Sequence, residues 1–156
     1  MTDEKSALKI INKDRLSDKA QSILKNESAI LQAMNHPNVV SFKRIFENKK
    51  FIFIEMEFIP GGEMKKLYKN EESKDEPKPL SDLQASKVMK SLLEGVAYVH
   101  ERDVIHRDLK PENILLASEE EGCFDIKIVD FGISAEFSLE NREVDRAGTL
   151  VYMAPE

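Results

Sequence analysis

Eight consecutive residues, His106-Arg107-Asp108-Leu109-Lys110-Pro111-Glu112-Asn113, constrain this chain more than any other stretch. Asp130-Phe131-Gly132 follows at the end of an apolar segment, and then come Gly148-Thr149 and Ala154-Pro155-Glu156. Phosphoryl transfer explains why residues of these types would be gathered. That reaction needs a carboxylate beside an attacking hydroxyl, oxygen ligands for Mg²⁺, and fixed positive charge against the developing negative charge. Asp108 can receive a hydroxyl proton, and Lys110 can sit near a transferred phosphate. Asn113 and Asp130 are hard oxygen donors suited to Mg²⁺. Alternation from Ile126 through Ile128 predicts Asp130 on the inward face, and Gly132 permits a sharp turn after it.

Composition narrows the classes around this stretch. A chain of 156 residues suits one ordinary globular unit or two small lobes. Its longest apolar runs, such as Ile114-Leu115-Leu116-Ala117, fall far short of the roughly 20 residues a membrane span needs. At 41% hydrophobic it is too apolar for disorder. Lys and Arg number 23 against 29 Asp and Glu, a formal charge of −6 with no basic block, which argues against nucleic acid as a partner. Cys123 is the single cysteine, so no intrachain disulfide forms and a reducing interior fits. Three histidines and one cysteine show no zinc spacing. The charged start Met1-Thr2-Asp3-Glu4-Lys5 has no apolar signal core, and no lipidation signal appears. A soluble intracellular protein is expected, with no membrane partner, in the cytoplasm and with the nucleus left open.

The hydrophobic period changes along the chain. Residues 6–11 alternate as a strand, with Ala7, Lys9 and Ile11 on one face and Leu8 and Ile10 on the other. A helix is predicted from Ser17, its apolar stripe running from Ala20 through Ile23, Leu24, Ile30 and Leu31 to Met34. Glu27 falls in that stripe and needs a cationic partner, for which the inward-facing Lys9 is the candidate. His36-Pro37-Asn38 ends the helix, and strands are predicted over 39–46 and 51–58. Phe51-Ile52-Phe53-Ile54 is apolar on both faces, as a buried strand is. Pro60-Gly61-Gly62 reads as the connection between two lobes, and residues 69–80 as an exposed loop. A long helix is predicted from Ser81 to Glu101, with capping-box spacing between Ser81 and Gln84. Its stripe is Ala85, Val88, Met89, Leu92, Leu93, Val96, Ala97 and Tyr98. Short strands follow at 114–117 and 125–129, joined by a solvated tip at Glu119-Glu120-Glu121-Gly122.

These motifs, in this order and spacing, resemble the eukaryotic protein kinase family over essentially the whole chain. The resemblance implies an α+β, bilobal fold with a small lobe and hinge over 1–59 and a large lobe over 60–156. It implies ATP and Mg²⁺ as cofactors and proteins as substrates. Ala7-Leu8-Lys9 resembles the strand whose lysine holds the α- and β-phosphates, and Glu27 the glutamate paired with it. Met56-Glu57-Phe58-Ile59 resembles the hinge: Met56 is then the gatekeeper, the Glu57 carbonyl and Ile59 backbone bond adenine, and Glu63 reaches the ribose. Ala7 and Leu115 match the residues that sandwich adenine, and Leu31, Phe42, Phe131 and His106 match the regulatory spine. Asp108, Lys110 and Asn113 then carry the transfer, Asn113 and Asp130 hold the metal, and His106 is structural. Lys110-Pro111-Glu112 resembles the serine/threonine class, in which Thr149 supports Asp108 and Lys110. Asp145 occupies the place of an activating phosphothreonine in many relatives, so a carboxylate can pair with Arg107 without phosphorylation. That feature is similar to the calcium- and calmodulin-dependent group. Calcium or calmodulin regulation is implied by family only, since the sequence contains no EF-hand loop.

The pattern departs from the family at both ends. Only eight residues precede Lys9, none of them glycine, so the Gly-rich phosphate loop is not among these residues. The sequence reads as truncated on both sides, which predicts little activity for the 156 residues alone. Two functions are therefore carried forward. One is a serine/threonine kinase represented by part of its catalytic domain. The other is a non-catalytic kinase-like fragment acting as a binding or regulatory module. Retention of Lys9, Asp108 and Asp130 favours the first.

Overall fold

The computed structural model describes residues 5–16, 32–68, 78–131, 135–136 and 149–153. The chain divides into two compact units, Met1–Phe58 and Ile59–Glu156. The first is built on an antiparallel sheet of β1 (Ser6–Asn12), β2 (Phe42–Glu47) and β3 (Phe51–Glu57), in the order β1-β3-β2. The central place of β3 explains its two apolar faces. Ile52 and Ile54 are buried on one, and on the other Phe53 stacks on Phe46 with ring centroids 5.0 Å apart. The alternation of β1 is as expected: Ala7, Lys9 and Ile11 are half-buried, while Leu8 and Ile10 are 50% and 57% exposed. The turn between β2 and β3 is set by Asn48, whose Oδ1 accepts from the amides of Lys50 and Phe51.

Two expectations shift here. The strand predicted from residue 39 begins at Phe42, although Val39 and Val40 are buried. The His36 carbonyl accepts from the Val39 amide across the turn at Pro37-Asn38, and Val39 sits in an isolated β-bridge ahead of the β2 ladder. Of the helix predicted from Ser17, residues 32–35 fall among the described residues: Gln32 and Ala33 are helical, while Met34, buried, and Asn35 are not. Glu27 and Leu31 lie outside the described residues, as do most of the 69–80 loop, Gly132, Asp145, Gly148 and Ala154-Pro155-Glu156.

The second unit carries α1 (Asp82–His100) and the short strands β4 (Val104–Ile105), β5 (Ile114–Leu116), β6 (Ile126–Ile128) and β7 (Ala135–Glu136). Ser81 caps α1 reciprocally: its Oγ accepts from the Gln84 amide at 3.3 Å, and Gln84 Oε1 accepts from the Ser81 amide at 2.9 Å. The helix packs on β6 and β4. Its buried row is Val88, Ser91, Gly95 and Val99, narrower than the predicted stripe, and Met89, Leu93 and Ala97 are exposed. Two of these four, Ser91 and Gly95, are small, and an apolar count overlooks them. Among the described residues, no helix is long and apolar enough to cross a membrane.

β5 and β6 form an antiparallel hairpin with Ile114, Leu116, Ile126 and Ile128 buried. Its tip, residues 119–122, is exposed, with Gly122 at φ 81°. The connection Pro60-Gly61-Gly62 lies against β5, where the Leu116 amide donates to the Gly62 carbonyl at 2.8 Å. A Cβ on Gly61 would stand 2.4 Å from the carbonyl oxygens of both Leu116 and Ser118, so only glycine fits.

Candidate active site

The loop after β4 is anchored at its first residue. His106 is 2% exposed, and its ring meets Phe131 edge-on at 4.7 Å. The Asp108 amide donates to His106 Nδ1 at 3.2 Å, so Nε2 carries the hydrogen and donates to the Val129 carbonyl at 2.8 Å. One neutral imidazole thus ties the loop to the segment that leads into Asp130. Burial pushes the His106 pKa down, against the pull of the Val129 bond and the charges of Asp130 and Asp108. Its structural role agrees with the sequence reading.

Arg107 and Asp130 adopt φ of 64° and 62°, left-handed conformations that side-chain-bearing residues rarely take. Each lies at a candidate catalytic position or directly before one. This backbone turn corrects the expectation for Asp130. Alternation ends at Ile128, and Asp130 is exposed rather than inward-facing.

Around Asp108 three side chains converge. Thr149 Oγ1 donates to Oδ1 at 2.6 Å. Lys110 Nζ lies 2.8 Å from Oδ2 and donates to Thr149 Oγ1 at 2.8 Å. Asn113 Nδ2 donates to the Asp108 carbonyl at 2.8 Å and to Oδ2 at 3.0 Å. The Lys110 and Thr149 bonds hold the Asp108 pKa at about 2, and Asp108 in turn pushes the Lys110 ammonium up. Pro111 opens the 3₁₀ turn Pro111–Asn113 that swings Asn113 back under Asp108. A cavity of about 230 Å³ beside this cluster is lined by Arg107, Asp108, Leu109, Thr149, Tyr152 and Met153. Tyr152 and Met153 were not singled out from sequence, because no spacing rule marks residues that merely wall a cavity.

The donor chemistry fits Mg²⁺ and a polyphosphate. Asn113 spends its amide nitrogen on Asp108, so its hard oxygen is the atom turned to other use. The Val129 amide donates to the Asn113 carbonyl at 2.9 Å, which sets Asn113 and the segment entering Asp130 at one end of the hairpin. Among the described residues no trio of His, Cys, Asp or Glu forms a separate metal cluster. Elsewhere in this unit Glu63 pairs with Lys65, Ile59 is buried, and Leu115 is half-buried between buried neighbours. In the first unit, Lys9 and Ala7 share the half-buried face of β1, and Ala7 and Phe42 both pair with Met56 on β3. Glu57 ends β3.

The unit that carries α1 thus holds a carboxylate beside a fixed cation, next to a cavity. The chain belongs to the protein kinase domain family, whose profile matches residues 1–156. It is 34% identical over 157 residues to calcium-dependent protein kinase 4 of Plasmodium berghei, covering 99% of this chain and 28% of that protein. It is 34% identical over 155 residues to myosin light chain kinase A of Dictyostelium discoideum, covering 99% of this chain and 50% of that protein. With mouse serine/threonine-protein kinase 33 it shares 32% identity over 163 residues, 99% of this chain and 32% of that protein. The chain thus spans half or less of the length of these relatives. As a member of the family it has the partial α+β kinase fold expected from its motifs.

Proposed function

We propose that this chain carries the catalytic centre of a protein serine/threonine kinase, which transfers the γ-phosphoryl of ATP to a Ser or Thr hydroxyl. The observation that carries this reading is the Asp108 carboxylate, bonded by Thr149, Lys110 and Asn113 beside a cavity of about 230 Å³. A substrate hydroxyl entering that cavity meets the carboxylate. Its oxygen attacks the γ-phosphorus, the bond to the β–γ bridging oxygen breaks, ADP leaves, and the proton passes to Asp108. A carboxyl held at about 2 is a weak base, so Asp108 orients the hydroxyl and takes the proton late, once O–P bonding has acidified it. Lys110 places positive charge beside the transferred group.

Asn113 and Asp130 are the residues that would hold Mg²⁺, which supplies charge neutralisation across the phosphates. Lys9, paired with Glu27, would hold the α- and β-phosphates. The Glu57 carbonyl and Ile59 backbone would take adenine beside the gatekeeper Met56, between Ala7 and Leu115, with Glu63 at the ribose. Protein substrates follow from the family. The name of one relative, a calcium-dependent protein kinase, supports calcium-linked control as a family trait. Asp145 would replace an activating phosphate opposite Arg107, so the protein made without any phosphorylation should already be active.

The test is to incubate the protein at its native length with ATP, Mg²⁺ and a degenerate peptide library, and to map the products by mass spectrometry. Mg²⁺-dependent phosphoserine and phosphothreonine are expected. Phosphotyrosine alone, or no product, would count against the reading.

A further inference from the structure

At the end of β3 the ladder is completed in an unusual way. The Glu57 amide donates to the Ser41 carbonyl at 2.9 Å. In a regular antiparallel pair, the return bond runs from the Ser41 amide to the Glu57 main-chain carbonyl. Here the Ser41 amide donates instead to Oε1 of the Glu57 side chain, at 2.7 Å. The register between β2 and β3 slips by one residue between Phe42 and Arg44, so β2 enters the sheet at an irregular point just where this exchange occurs. Both residues are half-buried, and a bond from an amide to a carboxylate is charge-assisted.

We infer that the Glu57 carboxylate is a positioning residue for nucleobase recognition: by capping the Ser41 amide, it keeps β2 from drawing on the Glu57 carbonyl. The sequence offers Glu57 only for its main-chain oxygen, whereas the geometry gives its side chain a separate task. The inference rests on the kinase reading, in which that carbonyl accepts from the exocyclic amino group of adenine. Without the carboxylate, the part-buried Ser41 amide needs another acceptor, and the ladder partner across from it is that same carbonyl. The carbonyl is then drawn toward β2, and the base loses its acceptor. Glutamine keeps an oxygen at the same reach and should largely substitute.

The experiment uses the protein at its native length, as wild type, Glu57→Ala, Glu57→Gln and Glu55→Ala. The last removes a carboxylate from the same strand that pairs with Arg44 instead. Two quantities are read: the through-hydrogen-bond NMR coupling between the Ser41 amide and the Glu57 main-chain carbonyl, and the ratio of kcat/KM for ATP to that for purine riboside triphosphate, which lacks the 6-amino group. The coupling should be absent in the wild type and appear in Glu57→Ala, where the Ser41 amide turns to the carbonyl. Glu57→Ala should also shrink the preference for ATP by about 10-fold. Glu57→Gln should behave largely as the wild type in both, and Glu55→Ala should change neither. No such coupling in Glu57→Ala overturns the inference. So does its appearance with the 6-amino preference intact, because the carboxylate would then be merely structural. A wild type that turns over ATP while either of these holds refutes the inference alone. A wild type that uses no nucleoside triphosphate refutes the kinase reading and the inference together.

Discussion

Thr149, Lys110 and Asn113 all donate to Asp108, and that arrangement sets both its aim and its acidity. Its folded pKa of about 2 lies below the ordinary 3.8, so the stability it contributes is complete above pH 3.8 and is lost as pH falls toward 2. Thr149→Val removes one of the two main causes of that shift. Its kcat should fall by about 10-fold, the usual effect of losing a hydrogen bond to a charged group, and steady-state kinetics reads this directly. His106 titrates closer to neutrality. Its folded pKa is depressed below 6.5, so the neutral ring stabilises fully above pH 6.5, and the contribution is lost as pH falls through the folded value. Thermal melts should therefore drop by a few degrees between pH 7 and pH 5. In His106→Phe the melt should start lower, since the Val129 carbonyl and Asp108 amide lose their partner, and its pH slope should flatten. The Asp108, Lys110 and Asn113 cluster was legible in sequence because it is local: its ends are five positions apart. The left-handed backbone at Arg107 and Asp130 was not, since nothing in those residue types announces it. That conformation is why Asp130 departs from the alternation of β6.

The elements repeat this contrast. The capping box of α1 and the β5–β6 hairpin followed from near-neighbour chemistry, and both stand where the sequence placed them. The buried face of α1 did not follow. It depends on how α1 packs on β6 and β4, a tertiary fact that an apolar count cannot register. Likewise Val39 and Val40 look like strand residues but lie ahead of the ladder, buried, with Val39 in an isolated bridge. Two substitutions probe this scale by chemical denaturation. Ser81→Ala removes the cap of α1 and should cost about 1 kcal/mol. Gly61→Ala drives a methyl into two backbone carbonyls that cannot rotate away, and should cost more, about 1–3 kcal/mol or above.

For the whole molecule, the charge is unevenly shared. The first unit has ten Lys and Arg against eight Asp and Glu, and the second thirteen against twenty-one. The proposed phosphate binding in so acidic a second unit would depend on a few placed cations and on Mg²⁺ rather than on net charge. The chain covers 28–50% of the length of the relatives cited. The family was legible because its motifs follow one another in order and at compatible spacing along the whole chain. The nucleotide contacts shared between distant segments are the part that spacing alone leaves open. The most direct test of the account is kinetic comparison of wild type with Asp108→Asn, alongside ATP binding by calorimetry. The account predicts that kcat falls by about 100-fold or more while ATP affinity stays within about threefold, as removal of the group that orients and deprotonates the hydroxyl requires. Equal turnover in the two proteins would contradict it.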